Sequence, residues 1–572
     1  MARLNDQVAA LLQEYADLLS ITGSESYKVR VYERAARAVA GHHADVSALD
    51  LDGLRAIPGV GASIGEKILE YLHSGQVEAV ERLRAKVPAG VRELTAIPTL
   101  GPRKAMLLYQ ELGVSSVAEL ARALDTGRVA ELRGFGPRSE QNLRHGIELL
   151  RRGGGRVLIS AAMAVAEEIV AALSRVPACV TCAYAGSLRR MRDSIGDVDV
   201  LAAARDAAPL MAEFTHLPMV ADVIARGPTK SSIRTGSGLQ VDLRVVAPEA
   251  WGAALQYFTG SKAHNLRTRE LAIRKGWKLS EYGLFRAEDD TLVVSETEEE
   301  VYERLGLPWI PPPLREDRGE IEAALAGDLP ELVTERDIRG DLHTHTDLTD
   351  GVSSLAEMVA TARQRGYRYY AVTDHAKDMP MQRMTDEKML AQRAELADLD
   401  SGRMVLLHGT ELNLDPDGGV DWDADFLAGF DVCVASVHSH FQQTRAAMTR
   451  RLIRACENPY VHILGHPTTR QIGRREPVEA DWDAVFAAAA RTGTALEINS
   501  YPDRLDLPDE LILRARRHGV RFALDTDSHA TVHLGNLRYG VGTAQRGWVT
   551  ADEVINAWPL SRLRRFLHHQ PR

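Results

Sequence analysis

The last third of the chain constrains its fold most tightly. Of the 19 histidines, 13 fall after residue 338. Most of them close a short apolar run: DLHTH (341–345), YYAVTDHA (369–376), MVLLHGTEL (404–412), DVCVASVHSH (431–440), VHILGHP (461–467) and RFALDTDSHA (521–530), with TALEINS (494–500) keeping the same rhythm. Short apolar runs alternating with helical segments predict an α/β barrel or a related layered α/β fold. A barrel gathers its chemistry at the C-terminal ends of its strands. There stand His343, His345, His375, Glu411, His438, His466, Asp527 and His529, with Asp350 in the loop after the first run.

A chain of 572 residues exceeds one ordinary core, so three or four domains are expected. Hydrophobic residues at 45% and charged residues at 26% fit a globular protein with a real interior. The opening MARLNDQVAALLQEYADLL carries acids among its apolar residues, unlike a secretory leader, and no run is long enough to span a bilayer. Four cysteines make no disulfide framework, which points to a reducing cytoplasm. Cys179 and Cys182 have metal-site spacing but no second pair, and are read as core. The net charge of −10 argues against a broad nonspecific grip on nucleic acid. It suits a protein whose carboxylates hold divalent cations.

In GDVDV (196–200) Asp197 and Asp199 lie two residues apart on a predicted strand, so both side chains leave by the same face. Asp242, in QVDLR (240–244), sits on a second apolar run. Three converging carboxylates would repel one another without cations. With two Mg²⁺ or Mn²⁺ ions they become a clamp for phosphoryl transfer.

The first 150 residues read as helical. LRAIPGVGASIGEKILEYL (54–72) and LTAIPTLGPRKAMLLYQEL (94–112) share one frame, and LRGFGPRSEQNLRHGI (132–147) is a shorter copy. Each places glycines in a hairpin before a new helix: Gly59 and Gly61, Gly101, then Gly134 and Gly136. Glycine allows positive φ and a close backbone approach, and the amides of the next helix face an anion. At the other end of this half, PWIPPPLREDRGE (308–320) is broken by three consecutive prolines and is expected to open a linker covering 316–337.

These features carry resemblances. The repeats resemble helix-hairpin-helix motifs, which clamp a DNA backbone. AGSLRRMRDSIGDVDV (185–200) resembles the nucleotidyltransferase superfamily, whose signature implies that Gly186, Ser187 and Arg190 meet a triphosphate. YFTGSKAHNLRTRELAIRKGW (257–277) resembles the nucleotide pocket of the family X DNA polymerases, the polymerase beta-like group. That likeness implies that Tyr257 and Phe258 pack beside the incoming sugar and that Gly260 with Ser261 makes a strained turn. It also implies that Asn265 and Arg269 contact base and template. His264 and Gln240 stand at pocket positions where relatives carry other side chains. SYKVRVYERAARAV (26–39) resembles the amino-terminal domain of the same family. The lysine matching Lys67 there forms a Schiff base with a deoxyribose phosphate, and the one matching Lys28 binds a 5′-phosphate. Lyase chemistry also needs a desolvated or cationic setting. The last third resembles the PHP (polymerase and histidinol phosphatase) domain. The likeness implies up to three Mn²⁺, Zn²⁺ or Fe²⁺ ions on His343, His345, Asp350, His375, Glu411, His438, His466, Asp527 and His529, with His440 and Glu497 outside the ligand set.

The expectation is a multidomain chain with four working parts. They are an all-α 5′-end-binding domain (1–85), a thumb- or fingers-like helix-hairpin-helix DNA-binding region (86–150), an α+β nucleotidyltransferase palm with its nucleotide pocket (151–315), and an α/β PHP domain, a distorted barrel, over 338–572. The implied protein is a cytoplasmic, nucleoid-associated monomer acting on gapped or nicked duplex DNA and dNTPs. It would fill gaps in base excision repair and process 3′ ends or abasic sites. The alternative is a metal-dependent DNA hydrolase with a weak or atypical transferase palm. A nonenzymatic end-bridging protein is the poorer rival, given intact carboxylates at all three palm positions.

Overall fold

A computed structural model describes residues 4–568 apart from 41, 43, 44, 58, 96, 98, 99, 133, 137, 138, 142, 145, 148–154 and 380–383. Among the described residues no helix is long and apolar enough to cross a membrane.

The N-terminal quarter is helical because its apolar residues recur every three or four positions. In helix Leu4–Ile21, Val8, Leu12, Tyr15 and Leu19 are buried against helix Ser26–Ala40. The first hairpin runs through Gly59, at φ +84°, into helix Ala62–Ser74, which Gly61 precedes. Gly101 precedes helix Pro102–Leu112 in the same way. Gly134 takes φ +96° in the third copy, part of which lies outside the described residues.

The palm is a five-stranded sheet in the order Thr181–Tyr184, Asp197–Ala203, Gln240–Val246, Lys230–Thr235, Val220–Arg226, with only the second and third strands parallel. Alternation divides the faces. Val198, Val200, Ala202, Val241, Leu243 and Val245 share one core with residues of helices Ile159–Ser174 and Ala208–His216, which leaves Asp197, Asp199 and Asp242 on the other face. Helices Trp251–Thr259 and Lys262–Arg274 follow, with a small antiparallel sheet formed by Trp277–Ser280, Gly283–Arg286 and Leu292–Val294.

The expected linker is a packed element. Pro312–Leu314 forms a buried 3₁₀ turn. The Arg315 side chain is fully buried, donating to Glu298 at 2.6 Å and to the Ile310 carbonyl at 2.8 Å. Helix Glu320–Ala326 adds Ile321 and Ala324 to the core made by Val301, Tyr302 and Leu305. The prolines do stop regular structure, but they lose little entropy on packing, and the apolar residues around them have a surface to cover.

The C-terminal third is a seven-stranded, all-parallel sheet in sequence order, Gly340–Asp341 through Phe522–Asp525. It nearly closes on itself: the His345 amide donates to the Ser528 carbonyl at 2.8 Å, and Thr344 and Ser528 form a parallel bridge. This domain touches both others. Leu505 and Tyr539 join the palm core, and Val352 and Ala530 join the N-terminal core. Arg546 links the three-proline region to the barrel, binding Glu316 at 2.8 Å and Asp509 at 2.7 Å.

Candidate active sites in the palm and the barrel

Parallel pairing puts Asp199 directly beside Asp242, and Asp197 beside Gln240. A Cβ on Gly186 would lie 2.2 Å from the Asp199 carboxylate, and Gly186 holds φ +61°. Any larger residue there would displace the acid. Burial, then Asp197 and Asp242, push the Asp199 carboxyl up to about 7. Burial acts the same way on Asp242, but hydrogen bonds from Gln240, Ser232 and Lys230 hold its carboxyl below the usual range. The Gln240 amide donates to Asp242 at 3.0 Å, and Lys230 Nζ lies 3.1 Å from its other oxygen. Gln240 therefore orients an acid instead of lining a sugar pocket. Asp199, Lys230, Asp242, Arg244 and Phe258 line one small cavity.

The pocket residues gather nearby. Tyr257 and Phe258 pack edge to face at 5.1 Å. Arg269 stacks over Tyr257 at 5.1 Å and Arg244 over Phe258 at 5.4 Å. Asn265 donates to the Tyr257 carbonyl at 2.7 Å and accepts from Gln256 at 3.0 Å. The Gly260–Ser261 peptide is cis. Ser187 is half-buried beside Gly186. Arg190 is mostly buried; it donates to the Thr259 carbonyl and pairs with Glu316 at 3.1 Å, which ties it to the Gly260 turn. One expectation changes. His264 is fully buried between Glu320, at 2.7 Å, and the Tyr302 hydroxyl, at 2.8 Å, and does not face the pocket.

In the barrel, His345, Asp350, His375 and His529 form one donor group, His343, His345 and Asp527 a second, and His375, Glu411 and His438 a third. The groups share His345 and His375. His466, the remaining member, lies 3.0 Å from Glu411. The strands deliver these residues at or near their C-terminal ends, with Glu411 still paired to Val434 two residues before its strand stops. His343 Nδ1 donates to the buried Glu497 at 2.7 Å, leaving Nε2 buried with no hydrogen-bond partner. Both ring nitrogens of His345 are likewise buried without one. His438 Nδ1 bonds Asn413 Oδ1 at 2.7 Å. Ring nitrogens fixed on one side and orphaned on the other suit a metal cluster, since a buried unpaired donor or acceptor is costly. Burial works against every charge here. Even so, Glu411, Asp350 and Asp527 lie well below the usual carboxylate range beside these imidazoles, while Glu497 and Glu411 hold His343, and Asp350 and Glu411 hold His375, well above theirs. His440 is exposed and outside the cluster. Arg504, 3.6 Å from Asp527, lies in a loop with no motif of its own and went unnoticed in the sequence.

At the N-terminal hairpins, Lys28 is exposed. Lys67 is half-buried, donating to Ser63 Oγ at 2.9 Å with its ammonium 5.9 Å from the centre of the Tyr32 ring.

Known proteins align with this layout. The family model for a helix-hairpin-helix domain matches residues 3–77, and that for a SAM-like helix-hairpin-helix tandem matches 91–148. The DNA polymerase beta thumb matches 254–316 and the PHP domain 341–501. The name thumb thus belongs to 254–316 and not to 86–150. The DNA polymerase/3′-5′ exonuclease PolX of Bacillus subtilis (strain 168) is 35% identical over 565 residues, covering 98% of each chain. A probable phosphatase of Thermoanaerobacter sp. (strain X514) is 26% identical over 41% of this chain and 95% of its own length. One of Shewanella sp. (strain ANA-3) is 28% identical over 39% and 89%. With a full-length relative at that identity, and hairpin, thumb and PHP matches following in its order, the chain belongs to the bacterial family X DNA polymerases that carry a C-terminal PHP domain.

Proposed function

We propose that the protein fills short gaps in duplex DNA during base excision repair and trims or cleans 3′ ends at its PHP site. The observation that carries this is one chain holding both an in-register Asp199–Asp242 pair beside Phe258 and an eight-residue donor cluster with His466 against its Glu411. Divalent cations, Mg²⁺ or Mn²⁺ on Asp197, Asp199 and Asp242 and Mn²⁺, Zn²⁺ or Fe²⁺ in the barrel, would supply charge neutralisation and Lewis acidity for phosphoryl transfer and hydrolysis. The residues supply the rest. Gln240 and Lys230 fix the Asp242 carboxylate. Asp199, which holds a proton up to about pH 7, must release it to act as a ligand. Tyr257 and Phe258 offer a flat wall for a sugar, with Gly260 at the turn beneath and Asn265 and Arg269 toward the base. Gly59, Gly61, Gly101, Gly134 and Gly136 open the hairpins to backbone phosphates, and Lys28 is free to meet a 5′-phosphate. In the barrel, Glu497 and Asn413 hold His343 and His438 in the tautomers that bind cations.

The test uses a one-nucleotide gap with a labelled primer and a downstream 5′-phosphate, in Mn²⁺, with and without dNTPs. Templated addition should vanish in Asp242→Ala alone and primer shortening in His343→Ala alone. Addition indifferent to gap length and 5′-phosphate would refute gap repair. No addition by the unaltered protein would leave a nuclease with a disused palm.

A further inference from the structure

Helix Ser26–Ala40 forms part of the walls of three cavities. Arg30 lines one with Gly101 and Lys104 at the second hairpin; Arg34 lines another with Gly59 and Gly61 at the first. Both arginines also line a third, of ≈ 700 Å³, whose floor includes Asp350, Asp527 and His529 of the barrel cluster. The methylenes of Arg34 lie 3.3 Å from where a Gly59 Cβ would stand. Both arginines are exposed, and neither is seen in an ion pair or side-chain hydrogen bond among the described residues. Spaced i and i+4, they share a helix face with Cβ atoms about 5–6 Å apart, a spacing that suits successive phosphates of one strand. Across the cavity stand Arg474 and Arg504, with Glu33 and Asp503 as the acids on its wall. Val352 and Ala530 of the barrel pack into the N-terminal core, which holds the helix at the mouth of the cavity.

We propose that Arg30 and Arg34 carry the backbone of a DNA strand from the hairpins into the PHP site, so that the N-terminal domain serves the nuclease as well as the gap. The inference rests on the hydrolytic reading of the barrel and adds to it a strand path and two positioning residues. A protein with a net charge of −10 lacks broad attraction for DNA. Two unpaired guanidinium groups at the entrance to an acidic site give it local attraction where a strand must enter.

The test compares the full-length protein with Arg30→Gln/Arg34→Gln and with Arg30→Lys/Arg34→Lys. Binding of 5′-fluorescein (dT)₁₂ is followed by anisotropy in EDTA, which reads the strand path without any metal. Shortening of the same oligonucleotide and hydrolysis of bis(p-nitrophenyl) phosphate are followed in Mn²⁺. The glutamine variant should bind several-fold more weakly, with a salt dependence shallower by about one to two counterions. It should shorten the strand roughly tenfold more slowly while cleaving the small diester at the unaltered rate, and the lysine variant should recover most of both strand readouts. Unchanged binding and shortening would overturn the proposal. So would a parallel loss of diester cleavage, which would mean a disturbed metal site. Loss of diester cleavage in the unaltered protein would instead count against the hydrolytic reading, and the anisotropy in EDTA would still decide the strand path.

Discussion

Asp197, Asp199 and Asp242 stand on two neighbouring strands with solvent beside them, whereas the barrel donors come from the ends of six strands and are largely buried. Among the described residues the palm acids have one cationic neighbour within ion-pair range, Lys230 on Asp242, and burial, then Asp197 and Asp242, push the Asp199 carboxyl up to about 7. The barrel acids instead share their charge with imidazoles. The palm is thus completed by what binds to it, while the barrel is organised beforehand by hydrogen bonds behind each ligand. An open acid pair suits a site that must admit DNA and a nucleotide in turn. A closed cluster suits ions that stay.

The comparison breaks first if the sites prove interdependent. Asp242→Ala should lower templated addition on the order of 10³-fold or more and leave primer shortening within a factor of two or so; a matching fall in shortening would show one shared site. Next in size is Arg546→Met. It removes one charged hydrogen bond from each of the mostly buried Glu316 and Asp509, which keep Arg190 at 3.1 Å and Arg318 at 3.0 Å, and each such bond is worth about 1.5–3 kcal/mol. Urea unfolding should register that loss, and an unchanged midpoint would refute it. Glu298 sharpens the contrast by pH. Burial would raise its carboxyl, but Arg315 and Arg189 bring it from the ordinary 4.5 to about 2. A depressed carboxyl stabilises the fold above its unfolded value, so roughly 3 kcal/mol should disappear as pH falls from about 4.5 to about 2. Glu298→Gln should flatten that part of the stability curve. The smallest effect belongs to Glu497→Gln, which unlocks the His343 ring. Cation affinity measured by calorimetry should weaken about 10–100-fold with templated addition untouched; an unaltered affinity would reduce Glu497 to packing.

Much of this was legible in the sequence where a local pattern carries the information. GDVDV fixes two acids on one face by strand alternation alone, and each apolar run ending in His or Asp announces a strand whose tip is chemical. The third acid was legible only as a polar break in QVDLR; its register beside Asp199 needed the sheet. Lys230 and Arg504 carry no motif, and their roles follow from a neighbouring strand and a distant loop. The prolines of 311–313 were read as an interruption because local rules describe what proline prevents and not what its neighbours cover. His264 stands by analogy at a pocket position, but Glu320, over fifty residues downstream, holds it inward. The sequence shows the helix bearing Arg30 and Arg34 but not the cavity it overlooks.

A Cβ on Gly542, in the C-terminal domain, would lie 2.4 Å from Met191, beside the palm's triphosphate signature, and Arg546 one turn later donates to the Arg190 carbonyl at 2.8 Å. A lineage that stopped needing the hydrolase could therefore not simply discard the gene's last third. Truncation before the barrel would strip Leu505 and Tyr539 from the palm core and leave Glu316 with Arg190 as its one cation among the described residues. Point loss of histidines would silence the chemistry and spare the scaffold. Descendants of such a lineage should retain a full-length barrel with an eroded set of ligands, and shortened polymerases should carry a rewritten surface around Met191.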